Sequence, residues 1–177
     1  MIGCINEIGE RQKADNVSGL LGESGFREYM NQLDTPLETG YLLRIGIDHF
    51  KEINDNFGQE YGDFVLKKSA ECISGCISEG QKVYKLVADE FLILDVSSDE
   101  AKDADKLYDK VREAIDRFIE TNEFKVMYTV SGGIVPFAAL KGNQYAEALK
   151  LTDFTLNEAK KLGRNRCYIF NGETYRK

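Results

Sequence analysis

Residues 41–66 read YLLRIGIDHFKEINDNFGQEYGDFVL, and the order of the elements they imply decides the fold. YLLRIGID, 41–48, is mostly apolar, which predicts a strand covered on both faces and therefore central in its sheet. HFKEINDNFG follows without a linker, so the strand runs straight into a short helix that Gly58 terminates. A second helix starts near Tyr61 or Gly62. Along it Phe64, Val65, Cys72, Ile73, Cys76 and Ile77 make one broad apolar stripe, closed by Gly80. The turn between strand and helix admits two readings. The free N–H groups of the helix start can hold phosphate oxygens, or Asp48 simply caps the helix.

Upstream, the pattern becomes regular from Ser18, and Phe26, Tyr29, Met30 and Leu33 recur at helical spacing before Pro36. Downstream, KVYKLV (82–87) and FLILDV (91–96) are two short strands around Ala88, Asp89 and Glu90, a hairpin with acidic residues at its tip. Residues 99–121 carry Ala104, Leu107, Tyr108, Val111, Ile115, Phe118 and Ile119 on one helical face. KVMYTVSGGIVPF (125–137) is another strand, Tyr145 to Leu162 a last long helix stopped by Gly163, and CYIF (167–170) a final strand. The alternation predicts an α/β (α+β) sandwich: a central, mostly antiparallel five-stranded sheet flanked by helices.

The 177 residues suit one domain, and 42% hydrophobic against 30% charged residues allow a real core. No run approaches a membrane span, and MIGCINEIGERQK lacks the basic start and apolar core of a secretory signal; the expectation is a cytoplasmic domain without membrane contact. Twenty-three basic against 30 acidic residues give a net charge of −7, which repels nucleic-acid polymers while leaving room for a local nucleotide site. Cys4, Cys72, Cys76 and Cys167 form no CxxC pair and His49 is the only histidine, so structural zinc is not expected.

Two further features carry chemistry. Asp89 and Glu90 are adjacent carboxylates at a sheet end, able to bind a divalent cation or simply to solubilise a tip. KKLGRNR (160–166) places Lys160 and Arg164 four apart at a helix C-terminus, where cations complement the dipole and also reach one polyphosphate.

These stretches together resemble the GGDEF domains, the catalytic modules of diguanylate cyclases, over about Asp15 to Phe170. DNVSGLL (15–21) is similar to the family's D-x-L-T-G-L opening. IDHFKEINDNFGQEYGDFVL (47–66) matches its most recognisable stretch, and VADEF (87–91) stands where the name-giving motif belongs. VSGGI (130–134) and TDFTLNEAKKLGRNR (152–166) complete the likeness. The resemblance implies a fold like the polymerase and nucleotide-cyclase palm. It also implies condensation of two GTP to cyclic di-GMP between two facing domains, helped by Mg²⁺ or Mn²⁺.

By position, the resemblance assigns Asn54 and Asp63 to the guanine edge, and backbone N–H groups around Phe50 and Lys51, with Lys160 and Arg164, to the phosphates. Asp89, Glu90 and the backbone of Ile47 would ligate metal, and Asp89 and Glu90 would be the catalytic carboxylates of an active enzyme. The chain departs from the pattern where it matters most. Gly46 replaces the first metal-binding Asp, Val87 and Ala88 replace the motif's two glycines, and Lys85 replaces an arginine. Ser78-Glu79-Gly80-Gln81 replaces the R-x-x-D of the inhibitory product site, which should therefore be absent.

The expectation is a catalytically degenerate GGDEF domain at 15–171 that binds GTP or dimerises as a regulatory module. Residues 1–14 would be a linker from an upstream PAS-like domain and 172–177 a tail, with an EAL domain as a further covalent partner. The alternatives are an active cyclase, for which Asp89 and Glu90 speak, and a protein-interaction scaffold without nucleotide.

Overall fold

A computed structural model describes residues 14–98, 100–121 and 127–176. Its elements in chain order are β1 (Leu21–Gly22), α1 (Glu23–Asn31), β2 (Tyr41–Ile47), α2 (Phe50–Phe57), α3 (Gln59–Cys76), β3 (Gln81–Lys85) and β4 (Glu90–Asp95). They continue with α4 (Ala101–Thr121), β5 (Val130–Pro136), α5 (Gln144–Lys161), β6 (Cys167–Ile169) and α6 (Gly172–Arg176). The strands form one sheet in the order β1-β3-β4-β2-β5-β6. β2 pairs antiparallel with both β4 and β5, β3 antiparallel with β4, and only the edge pairs β1–β3 and β5–β6 are parallel.

The period-2 alternation of a strand divides β2 between two cores. Tyr41, Leu43, Ile45 and Ile47 pack with Ile53, Val65, Leu66 and Ile73 of α2 and α3 and with Leu107, Val111 and Ile115 of α4. Leu42 faces the opposite side, with Phe26 of α1, Leu92 and Leu94 of β4, Val135 of β5 and Leu151 of α5. Burial on both faces is why the strand reads as a nearly unbroken apolar run, each fully buried aliphatic side chain contributing roughly 1.5–3 kcal/mol. Arg44 and Gly46 share the Leu42 side, under α5. At Gly133 the backbone of α5 lies directly on β5: a Cβ there would stand 2.5 Å from Leu156 N, so only glycine seats the helix at this depth.

Four expectations need adjusting. The sheet has six strands, because Leu21–Gly22 pairs with Tyr84–Lys85; two residues are too few to show a period. The first helix begins at Glu23, later than the pattern from Ser18 suggests, since Asp15 Oδ2 accepts from the Ser18 N–H at 2.7 Å and turns the chain there. The strand read over 125–137 starts at Val130, residues 122–126 lying outside the described residues. The stretch read as a tail contains α6, whose Tyr175 packs on Phe154 at 5.0 Å between ring centroids. The linker expected at 1–14 lies, but for Ala14, outside the described residues.

Candidate functional site

Two clusters of side chains gather where β2 leaves the sheet. The first is built by α2 and α3. Phe50 and Asn54 lie one turn apart on α2, so they share a face, and that face meets the start of α3. A Cβ on Gly62 would fall 1.7 Å from Asn54 Oδ1 and 3.4 Å from Phe50 Cζ; only glycine at 62 leaves the amide its place. Among the described residues Asn54 Oδ1 is buried and has no hydrogen-bond partner, a state that costs about 1–3 kcal/mol until a donor arrives. Asp63, next in the chain, is half-buried. His49 precedes α2 in the left-handed region, φ 57, and no side chain caps the helix. The first-turn N–H groups of Phe50 and Lys51 are therefore not engaged by a cap.

Asp48, offered by the sequence as that cap, turns elsewhere. Its carboxylate accepts from Thr129 Oγ1 at 2.6 Å, Ser131 Oγ at 2.7 Å and the Asn165 N–H at 3.1 Å. It ties the loop after α5 to the end of β2 and is 3% exposed. Arg164, exposed, sits in that loop with φ 62, beside Asn165 with φ 50.

The second cluster surrounds the hairpin tip. Gly46 lies opposite Glu90 in the β2–β4 register, and the Ile47 N–H donates to Asp89 O at 3.2 Å. A Cβ on Gly46 would meet Leu156 Cδ2 at 3.3 Å, Glu90 Cγ at 3.6 Å and Lys160 Nζ at 3.7 Å. Glu90 and Lys160 thus converge on the one place where the strand offers no side chain. Lys85, buried, donates its ammonium to the carbonyls of Leu86 and Ala88 and braces the turn from inside. Ala88 keeps the left-handed conformation that glycine would take, φ 59, and Val87 is 66% exposed. Burial pushes the Asp89 carboxyl above the usual carboxylate range, helped by Glu90 and opposed by Lys160 and Lys85.

Arg44 is the residue the sequence reading passed over. It stands two residues before Gly46 on the same side of β2, and its Nε donates to Glu90 Oε1 at 2.6 Å. Its Nη1 donates to Leu149 O at 3.0 Å and Thr152 Oγ1 at 3.3 Å, both on α5. The Arg44 and Glu90 side chains are only 9% and 16% exposed. The available signal was a lone charge inside YLLRIGI, which in a central strand must find a buried partner.

These donors do not make a place for a divalent cation. Gly46 supplies no side-chain oxygen, and Glu90 Oε1 is held by Arg44. Among the described residues no group of three or more His, Cys, Asp or Glu could hold a metal ion. A cavity of 540 Å³ beside α1 and α5 has Arg27, Arg44, Val87, Tyr145 and Lys150 in its wall. A groove of 630 Å³ runs along α2 past Glu52, Phe57 and Asp116. Neither lining includes Asn54, Asp63, Lys160 or Arg164.

A mixed sheet flanked by helices, with a carboxylate-tipped hairpin beside a strand-to-helix turn, defines the palm-like class of nucleotide cyclase folds. Within it, the profile described as "Diguanylate cyclase, GGDEF domain" matches residues 13–166, and the chain belongs to that family. It is 28% identical over 156 residues to the diguanylate cyclase VdcA of Vibrio cholerae, covering 86% of this chain and 45% of VdcA. It is also 28% identical over 162 residues to the cyclic di-GMP phosphodiesterase NbdA of Pseudomonas aeruginosa, covering 89% of this chain and 20% of NbdA. The chain thus spans less than half of these relatives. Among solved structures it is similar in fold to the diguanylate cyclase SiaD of Pseudomonas aeruginosa in complex with its activator SiaC. The TM-score is 0.78 at 23% identity, over 96% of this chain and 66% of that one. It is therefore a GGDEF domain of the kind found in diguanylate cyclase-type, cyclic di-GMP signalling proteins. No described helix is long and apolar enough to cross a membrane.

Proposed function

We propose that this domain binds GTP and acts in a cyclic di-GMP signalling protein as a regulatory or dimerising module whose own cyclase chemistry is weak or absent. The observation that carries the binding half is the buried Asn54 Oδ1, without a hydrogen-bond partner among the described residues and held against Gly62. An amide acceptor beside a carboxylate acceptor, Asp63, suits the N1–H and 2-amino donors of guanine. The uncapped first turn of α2 offers Phe50 and Lys51 N–H groups to phosphate oxygens, and Lys160 and Arg164 supply cationic charge at the other end. Asp48 takes no part in contact with ligand; it positions the Arg164 loop through the Asn165 N–H.

The catalytic half of the reading rests on Gly46 and on the engaged Glu90. Ligation by Asp89, Glu90 and the Ile47 backbone, and proton removal by Asp89 or Glu90, belong to the alternative of an active cyclase that brings Mg²⁺ or Mn²⁺ with its substrate. An EAL partner joined to this domain is in line with NbdA being a cyclic di-GMP phosphodiesterase by name; the PAS-like sensor and the cytoplasmic location are proposed from the sequence alone.

Two measurements test the reading. Calorimetric titration with GTP should show binding that Asp63→Ala weakens at least about tenfold; no affinity in the parent chain favours a scaffold without nucleotide. Incubation at high protein concentration with GTP and Mg²⁺ or Mn²⁺ should yield little or no cyclic di-GMP, and steady formation would overturn the degenerate reading.

A further inference from the structure

We infer that the Arg44 guanidinium takes the place of a divalent cation at the acidic end of the site, so that this pocket accepts a nucleoside triphosphate as the free anion rather than as its metal chelate. The inference rests on the nucleotide reading above and adds the form in which the ligand arrives.

The geometry carries it. Glu90 is the carboxylate that faces Gly46 across the β2–β4 pair, and its Oε1 already receives a charge-assisted hydrogen bond of 2.6 Å from Arg44 Nε. The guanidinium cannot swing away cheaply, because Nη1 is held by Leu149 O and Thr152 Oγ1. Thr152 is fully buried, and its hydroxyl donates a hydrogen bond to Ala148 O at 2.5 Å. A cation that claimed Glu90 would leave Arg44 under α5 with only the exposed Asp153 carboxylate, 3.8 Å from Nη2, as counter-charge, and it would have to shed hydration water for very few protein oxygens. The neighbouring positive group, Lys160 Nζ, stands 3.7 Å from where a Gly46 Cβ would be. Arg44 thus neutralises Glu90 where a metal would, and a polyphosphate tail meets the Lys160 ammonium instead of a bound metal.

Two experiments on the 177-residue chain decide it. Mn²⁺ titration followed by electron paramagnetic resonance is expected to show no specific site in the parent. The double variant Arg44→Met/Gly46→Asp, which frees Glu90 and adds a second carboxylate, should gain one Mn²⁺ site. A parent chain that binds one Mn²⁺ and loses it in Glu90→Gln would overturn the assignment of Arg44, whether or not the double variant folds. GTP titration in excess EDTA and in excess Mg²⁺ is expected to give affinities within about threefold of each other, and a loss of tenfold or more in EDTA overturns the free-anion ligand. GTP that binds in neither buffer overturns the nucleotide reading itself and the free-anion inference with it. The Mn²⁺ result then reports separately on Arg44 and Glu90.

Discussion

Arg44→Met removes one half of an ion pair whose other half cannot leave. The Glu90 carboxylate stays on β4 with 16% of its side chain exposed, and the Arg44 side chain is 9% exposed. The substitution deletes hydrogen bonds of 2.6, 3.0 and 3.3 Å to Glu90, Leu149 and Thr152. Breaking a buried pair from one side costs about 3–5 kcal/mol. The lower end applies here, because Lys160 stands near Glu90 and offers partial compensation. At about 2–4 °C per kcal/mol for a chain of this size, a loss of about 3 kcal/mol lowers Tm by about 6–12 °C. Glu90→Gln keeps a hydrogen-bond acceptor and should cost about 2 kcal/mol. Arg44→Met/Glu90→Gln removes both charges, so its cost should fall short of the sum of the two singles by at least about 1.5 kcal/mol. Urea denaturation of all four proteins, with m-values compared, measures the cycle. Single costs below about 1 kcal/mol, or singles that add to within about 0.5 kcal/mol, would refute the claim that this pair is closed and coupled.

Ala88→Gly should raise stability by about 1 kcal/mol, read by the same denaturation, because alanine at φ 59 carries a left-handed penalty that glycine escapes. Gly62→Ala should weaken GTP binding by at least about tenfold, since the added Cβ displaces Asn54 Oδ1; unchanged binding would remove Asn54 from the recognition of guanine. Asp89→Asn should be more stable than the parent at pH 7 and lose that advantage in acid. The folded-state pKa of Asp89 is raised, so the group favours the folded chain below its unfolded pKa and forfeits that contribution as pH rises through the folded one. Denaturation at pH 3.5 and pH 7 checks the sign.

The fold was legible where burial leaves a period. Tyr41–Ile47 is apolar but for Arg44 because both faces of β2 are covered, and Ala104 to Ile119 mark α4 because one face of that helix meets the sheet. Leu21–Gly22 and Gly172–Arg176 escaped notice because two residues of strand and five of helix carry no repeat. The candidate site was legible only by likeness of stretches such as 47–66; nothing in spacing says that Asn54 must touch Gly62. Asp48 and Arg44 were opaque for a common reason. Each side chain finds its partners on elements far along the chain, at Thr129, Ser131 and Asn165 for one and at Glu90, Leu149 and Thr152 for the other. A one-dimensional reading credits a charged residue to its neighbours first.

The three-way grip of Asp48 has a mechanical side. One carboxylate joins the exit of β2, the start of β5 and the loop leaving α5, so a tug on the chain beyond Arg164 is delivered straight to the residue that precedes His49 and α2. The turn where Phe50 and Lys51 present their N–H groups is thus fastened, through one neighbouring side chain, to segments more than 80 residues further along the chain.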